Sequence, residues 1–282
     1  MKNPRCLWLG IVALTLNPIV GLAAPAIPQN DVQAKLDEAL KRAHVPSGNM
    51  ASVRAAASVT SFVNGASFTP QISPGAWATL FTSADNSLVA TIADAVPFPA
   101  VLATRSIEIN GSKLPLLYAG PGQVNAQIPY ELPPGNYTAI FRSNNASAES
   151  FPIQILKAAP GFFLWGDNMA IAQTTNGALI TQTNPAHRGD FIVAYLTGGG
   201  ALDNAASTGK GATYPPLYQT AVPYSATIAG QNATVAFLGL TPGFAGLWQA
   251  NISVPNSIPT GLQPLEITVD GITSKTAYLF IQ

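Results

Sequence analysis

One internal duplication constrains this chain more than any other feature. Tyr118-Ala-Gly-Pro-Gly-Gln-Val-Asn-Ala-Gln-Ile-Pro129 aligns without a gap on Phe244-Ala-Gly-Leu-Trp-Gln-Ala-Asn-Ile-Ser-Val-Pro255, and both copies continue to a proline (Pro133, Pro259) and a glycine (Gly135, Gly261). Upstream, Ser106-Ile-Glu-Ile-Asn-Gly111 matches Ser225-Ala-Thr-Ile-Ala-Gly230. Earlier still, Asn64-Gly-Ala and Pro74-Gly-Ala-Trp-Ala-Thr-Leu-Phe81 echo Asn176-Gly-Ala and Arg188-Gly-Asp-Phe-Ile-Val-Ala-Tyr195. A chain that repeats itself in this way is built from two copies of one unit. The copies run over 58–157 and 158–282, with Ala159-Pro160-Gly161 marking the joint.

Within each copy the hydrophobic period is two. Trp77, Thr79 and Phe81 alternate with Ala78 and Leu80; Phe191, Val193 and Tyr195 alternate with Ile192, Ala194 and Leu196; Leu265, Ile267 and Val269 alternate with Glu266 and Thr268. Such runs, rich in β-branched and aromatic residues and bounded by Gly, Pro and Asn, predict strands. No helical pattern lies between them, which excludes a βαβ fold and predicts an all-β chain of two tandem β-sandwiches. Only 9% of residues are charged, too few for long solvated helices.

Residues 1–57 read differently. Lys2 and Arg5, the apolar run Leu7 to Leu16 and the small residues Ala23, Ala24 and Ala26 predict a secretory signal peptide over 1–26. Asn17-Pro18 breaks that run before it is long enough to span a membrane comfortably, so no stable membrane span is expected once the signal is removed. Cys6, the single cysteine, lies inside the segment, so the mature chain has no disulfide and relies on its core. The expected location is secreted, periplasmic or at the cell surface. Residues 27–57 form a short helix and linker. Val32, Leu36, Ala39, Leu40 and Ala43 share one helical face, which predicts a short N-terminal helix that docks on the sandwich or frays; a membrane-surface or partner helix is the alternative, which the mixed charges of its other side disfavour.

Pro121-Gly-Gln-Val-Asn-Ala-Gln-Ile-Pro129, Ala159-Pro-Gly-Phe-Phe163 and Pro242-Gly-Phe-Ala-Gly-Leu-Trp-Gln-Ala-Asn251 resemble the uncharacterised Solibacter-type C-terminal domain family of secreted bacterial proteins. Each half more distantly resembles an IPT/TIG immunoglobulin-like domain. The resemblance covers about Ser58 to Gln282. It implies an exported architecture of two tandem immunoglobulin-like sandwiches and brings no catalytic residues.

The candidate binding residues are polar and aromatic. Gln123, Asn125 and Gln127 share one face of a strand, and Gln249 and Asn251 repeat the pattern in the second half. Carboxamides donate and accept hydrogen bonds, so an exposed row could bind sugar hydroxyls; a buried row would instead satisfy polar groups of the fold. The long loop from Gly198 to Val222, with Tyr214 and Tyr218, is the second candidate surface, set against a merely flexible loop. Exposed tryptophans at Trp77, Trp165 and Trp248 would favour sugar stacking, and buried ones core packing.

Other readings fail on the residues. Thr208-Gly-Lys-Gly-Ala lacks the upstream glycine and the hydroxyl residue of a phosphate-binding loop. Arg188-Gly189-Asp190 spells an adhesion tripeptide, but its counterpart Pro74-Gly75-Ala76 is the turn before a strand. The two histidines, His44 and His187, stand apart, and no Gly-x-Ser-x-Gly elbow or metal-ligand spacing occurs, so neither cofactor nor metal is expected and the chain is read as a non-enzyme. Net charge is zero with no basic cluster, which excludes nucleic-acid binding. The expectation is an exported, non-catalytic interaction or adhesion module whose partner is an extracellular carbohydrate or an exported protein. A spacer without a ligand and an unrecognised polysaccharide-active enzyme are the alternatives.

Overall fold

The computed structural model describes residues 30–41, 58–85, 88–143 and 148–282. The predicted signal peptide and the linker before Ser58 lie outside the described residues. Among the described residues, every regular element apart from the helix Asn30–Lys41 is a strand.

The first half is two antiparallel sheets. One has the strand order Val59–Asn64, Trp77–Thr82, Gln123–Gln127, Leu116–Gly120, Thr91–Ile92, and the other Ser112–Lys113, Arg105–Ile109, Gly135–Ser143, Glu149–Ile155. Their facing residues, among them Leu80, Val124, Ala126, Ile107, Phe141 and Ile155, form a buried core. The second half has the same plan. Phe191–Thr197 lies beside Trp248–Ser253 and then Val235–Leu240, while Tyr224–Ile228, Gly261–Val269 and Ala277–Ile281 make up the facing sheet. Its core gathers Trp248, Leu196, Ile252, Leu240, Ile267 and Leu279.

The duplication therefore maps strand onto strand. Trp77–Thr82 pairs with Gln123–Gln127 in the first half as Phe191–Thr197 pairs with Trp248–Ser253 in the second. The turns correspond as well. Asn110 and Gly111 both have positive φ (49° and 76°), as do Ala229 and Gly230 (53° and 73°), the geometry of a tight hairpin turn. Asn64 Oδ1 accepts from the Ala66 amide at 2.9 Å, and Asn176 Oδ1 accepts from the Ala178 amide at 3.2 Å. Tandem immunoglobulin-like sandwiches thus follow from the repeat and the period-two pattern. The Arg188-Gly189-Asp190 segment is a turn: the Asp190 amide donates to the His187 carbonyl at 3.2 Å, and Gly189 has φ 87°.

A third hydrophobic cluster joins the halves. Ala66, Trp77, Phe98 and Leu117 of the first half meet Phe163, Ile171, Val193, Tyr195, Phe244 and Leu247 of the second. Val32, Leu36 and Ala39 of the helix are buried in the same cluster, and Lys35 Nζ lies 5.5 Å from the Trp165 ring centre. The helix docks through the face its periodicity predicted, and it docks over the seam between the two sandwiches.

Polar contacts fix the seam. Trp77 Nε1 donates to the Ala245 carbonyl at 3.0 Å, and the Trp77 amide donates to Thr197 Oγ1 at 2.9 Å. Asn64 Nδ2 donates to the Ala159 carbonyl at 2.9 Å. At Gly198, φ is 78° and a Cβ would sit 2.0 Å from the Ala159 carbonyl oxygen. Only glycine allows the chain to pass this close to the joint.

Candidate functional site

The carboxamide row is not exposed. Gln123 is 2% exposed, Asn125 4%, Gln127 and Gln249 0% and Asn251 1%. Of the two sequence readings, the burial overturns the exposed, sugar-facing row and fits the buried row that satisfies polar groups of the fold. The period-two argument puts these side chains on the face opposite the local core, and that face is itself covered. Their cross-strand neighbours are Trp77 opposite Gln127, Thr79 opposite Asn125, Tyr195 opposite Gln249 and Val193 opposite Asn251. Trp77, Val193 and Tyr195 belong to the seam cluster.

Buried amides need partners, and here they find each other. Gln123 Nε2 donates to Asn125 Oδ1 at 2.7 Å, and Gln249 Nε2 donates to Asn251 Oδ1 at 3.0 Å, so both halves carry the same pair. Gln127 Oε1 accepts from the Gly209 amide at 2.7 Å, which ties the second half's long loop to the first half. Asn251→Ala removes the acceptor for Gln249 inside a dry environment. The expected loss is about 1–3 kcal/mol, read as a lower melting temperature.

The same covering raises the pKa of two tyrosines. Burial pushes the Tyr195 phenol up. Burial does the same to Tyr130, partly opposed by hydrogen bonds with the Gly246 backbone and the Gln127 side chain.

The loop Gly198–Val222 is pinned. Thr220 Oγ1 donates to the Gly199 carbonyl at 2.8 Å, the Gln219 amide to Asp203 Oδ1 at 2.9 Å, and the Phe98 amide of the first half to the Gly209 carbonyl at 2.9 Å. Thr208 Oγ1 accepts from the Tyr130 amide at 3.0 Å and donates to Glu131 Oε2 at 2.6 Å. Tyr214 is 39% exposed. Tyr218 is half-buried, its hydroxyl 2.9 Å from Thr213 Oγ1.

This loop walls a cleft of about 540 Å3 between the halves. Tyr130, Glu131, Leu132, Pro133 and Pro134 form the opposite wall, with Lys157 beside the joint. On the loop side the lining is Gly200 to Ala206 with Val222, and neither Tyr214 nor Tyr218 takes part. The loop of the second sequence candidate thus lines the cleft, but through residues other than the two tyrosines. Pro133 was visible in the sequence only as a repeat landmark, and nothing local marks a turn as one side of a cleft.

Trp77 and Trp248 are 2% and 0% exposed, and Trp165 is half-buried under Lys35. The described tryptophans therefore pack, and none presents an open stacking face. Among the described residues no group of three His, Cys, Asp or Glu is placed to hold a metal, and no helix is long and apolar enough to cross a membrane.

Fold and site together define a protein of two tandem immunoglobulin-like sandwiches with a cleft along their seam. No protein-family profile matches the chain, and no curated protein matches it. Among solved structures it is similar to SGBP-B of the Bacteroides ovatus mixed-linkage glucan utilization locus, in complex with a mixed-linkage heptasaccharide. That match has 13% identity and TM-score 0.31, over 76% of this chain and 43% of the other. It is also similar to a surface glycan-binding protein of Prevotella bryantii (10% identity, TM-score 0.26, 79% of this chain and 41% of that one). A titin Ig tandem matches at 10% identity and TM-score 0.20, over 75% of this chain and 89% of its own. The chain spans less than half the length of the two glycan-binding proteins.

Proposed function

We propose that the chain is an exported, non-catalytic binding module and that the seam cleft is its ligand site. The observation that carries this is the cleft's construction: about 540 Å3, with walls supplied by both halves. That volume lies in the range of sites that enclose a small ligand or a short stretch of polymer. Leu132, Pro133, Pro134 and Val222 give it an apolar surface for the C–H faces of sugar rings. Glu131, Asp203, Asn204 and Lys157 offer hydrogen-bonding groups at its rim for hydroxyls. A carbohydrate of the cell surface or its surroundings is the ligand this lining suits. The resemblance of the sequence motifs to the Solibacter-type family of exported proteins supports the location.

The test is saturable binding of residues 27–282 to a panel of polysaccharides, with Ala205→Trp beside the parent. Ala205 is exposed and lines the cleft, so a tryptophan there fills the space without entering a core. The expected result is a parent that binds one polymer and a variant that melts normally but binds on the order of tenfold more weakly, a difference of about 1.4 kcal/mol. A parent that binds nothing on the panel would favour the spacer reading.

A further inference from the structure

A second cavity, of about 500 Å3, opens where the helix meets both halves. Ala39 of the helix, Ser67 and Phe68 of the first half, and Phe163, Asn168 and Lys275 of the second line it. Its chemistry is one-sided. Lys275 is the single charged residue of the lining, and no aspartate or glutamate contributes. Lys275 Nζ reaches across the halves to donate to the Ser67 carbonyl at 2.8 Å. An ammonium has three donors, so two remain. Among the described residues no carboxylate lies within ion-pair distance of it.

The rest of the lining has a definite shape. Phe68 is half-buried and has φ 53°, and Asn168 is exposed with φ 61°. A bulky aromatic residue held at positive φ is uncommon and is kept only where the surroundings impose it. The Phe68 ring is itself braced, its centroid 6.2 Å from that of Phe81. The cavity thus joins an exposed cation anchored by its bond to the Ser67 carbonyl, an aromatic side chain, a carboxamide and an apolar floor.

We propose that this cavity binds a ring-sized carboxylate, the chemistry of a uronic acid residue. The carboxylate would accept from Lys275, a charge-assisted contact stronger than one between neutral groups. One face of the ring would lie against Phe68, and the ring hydroxyls would bond Asn168. A neutral sugar of the same size makes no charge-assisted contact with the exposed Lys275 and binds less well. The site is separate from the seam cleft, so it stands whether or not that cleft binds a polymer.

The experiment uses residues 27–282 with galacturonate, galactose and polygalacturonate, followed by amide chemical shifts and by calorimetry. On the parent, galacturonate is expected to shift the amides of Gly65, Ser67, Phe68 and Asn168, and galactose to bind on the order of tenfold more weakly, as for the loss of one charge-assisted bond. Binding should weaken as salt is raised. Lys275→Met should remove the preference for the acid. A polymer that binds tighter than the monomer identifies a chain as the natural source; equal binding identifies the free acid. Shifts confined to other amides, equal binding of galactose and galacturonate, or no binding of either overturn the proposal on the parent alone, whether or not the Lys275 variant folds.

Discussion

Replacing Trp77 by alanine is expected to cost about 4 kcal/mol of stability, the scale of a buried tryptophan truncated in a packed interior. Trp77 is 2% exposed although it lies on the outer face of its own sandwich. Its ring meets Phe98 edge to face at 5.6 Å, and its indole N–H is bonded to the Ala245 carbonyl of the other half. Truncation opens a cavity in the seam cluster and leaves that carbonyl without its donor. The repeat supplies the control. Phe191 occupies the equivalent place in the second half, where no further sandwich covers it, and it is only half-buried. Phe191→Ala should cost about 1–2 kcal/mol, in keeping with a partly buried ring. Calorimetry separates the two effects further. With Trp77 in place the halves are expected to melt as one unit, and Trp77→Ala should broaden or split the transition as they uncouple. Equal losses for the two variants, with one sharp transition in each, would mean that the seam contributes nothing beyond the local sandwich.

That contrast also marks how far the sequence could be read. The strands and their duplication were legible because they repeat: the segments that became Trp77–Thr82 and Gln123–Gln127 match those that became Phe191–Thr197 and Trp248–Ser253, and the structure pairs them alike. The docking face of the helix was legible because Val32, Leu36 and Ala39 obey a 3.6-residue period. The seam was not. Its bonds join residues far apart in the sequence, such as Gln127 with Gly209, 82 positions away, and Trp77 with Ala245, 168 away, and no local period records them. The carboxamide row shows the consequence. Alternation placed Gln123, Asn125 and Gln127 together on the outer face, as observed, but could not say that the other half would bury that face. One signal was available: with 9% charged residues, the chain places carboxamides and hydroxyls where an exposed face would carry charge.

The second large effect is expected at Arg105, where truncation to alanine should cost about 3–5 kcal/mol. Its side chain is fully buried, on the strand Arg105–Ile109. Nη1 donates to the Gly120 carbonyl at 2.6 Å, Nη2 lies 3.5 Å from Asp85 Oδ2, and Cζ is 5.8 Å from the Phe141 ring centre. Burial lowers the guanidinium pKa and the Asp85 carboxylate works against that shift, so the charge is held at a desolvation cost that its partner offsets only in part. Arg105→Ala leaves the Gly120 carbonyl without this donor and Asp85 without its cation. The fold itself does not require the charge, because Tyr224 occupies the equivalent strand position in the second half. Arg105→Met, which restores most of the volume, should therefore lose less than Arg105→Ala. Arg105→Met combined with Asp85→Asn should lose less than the sum of the two single variants, since each alone strands the other's charge. Strict additivity in that cycle, measured by denaturant unfolding, would show that the two groups do not interact and that Arg105 stabilises the sandwich through its stem and the Gly120 carbonyl alone.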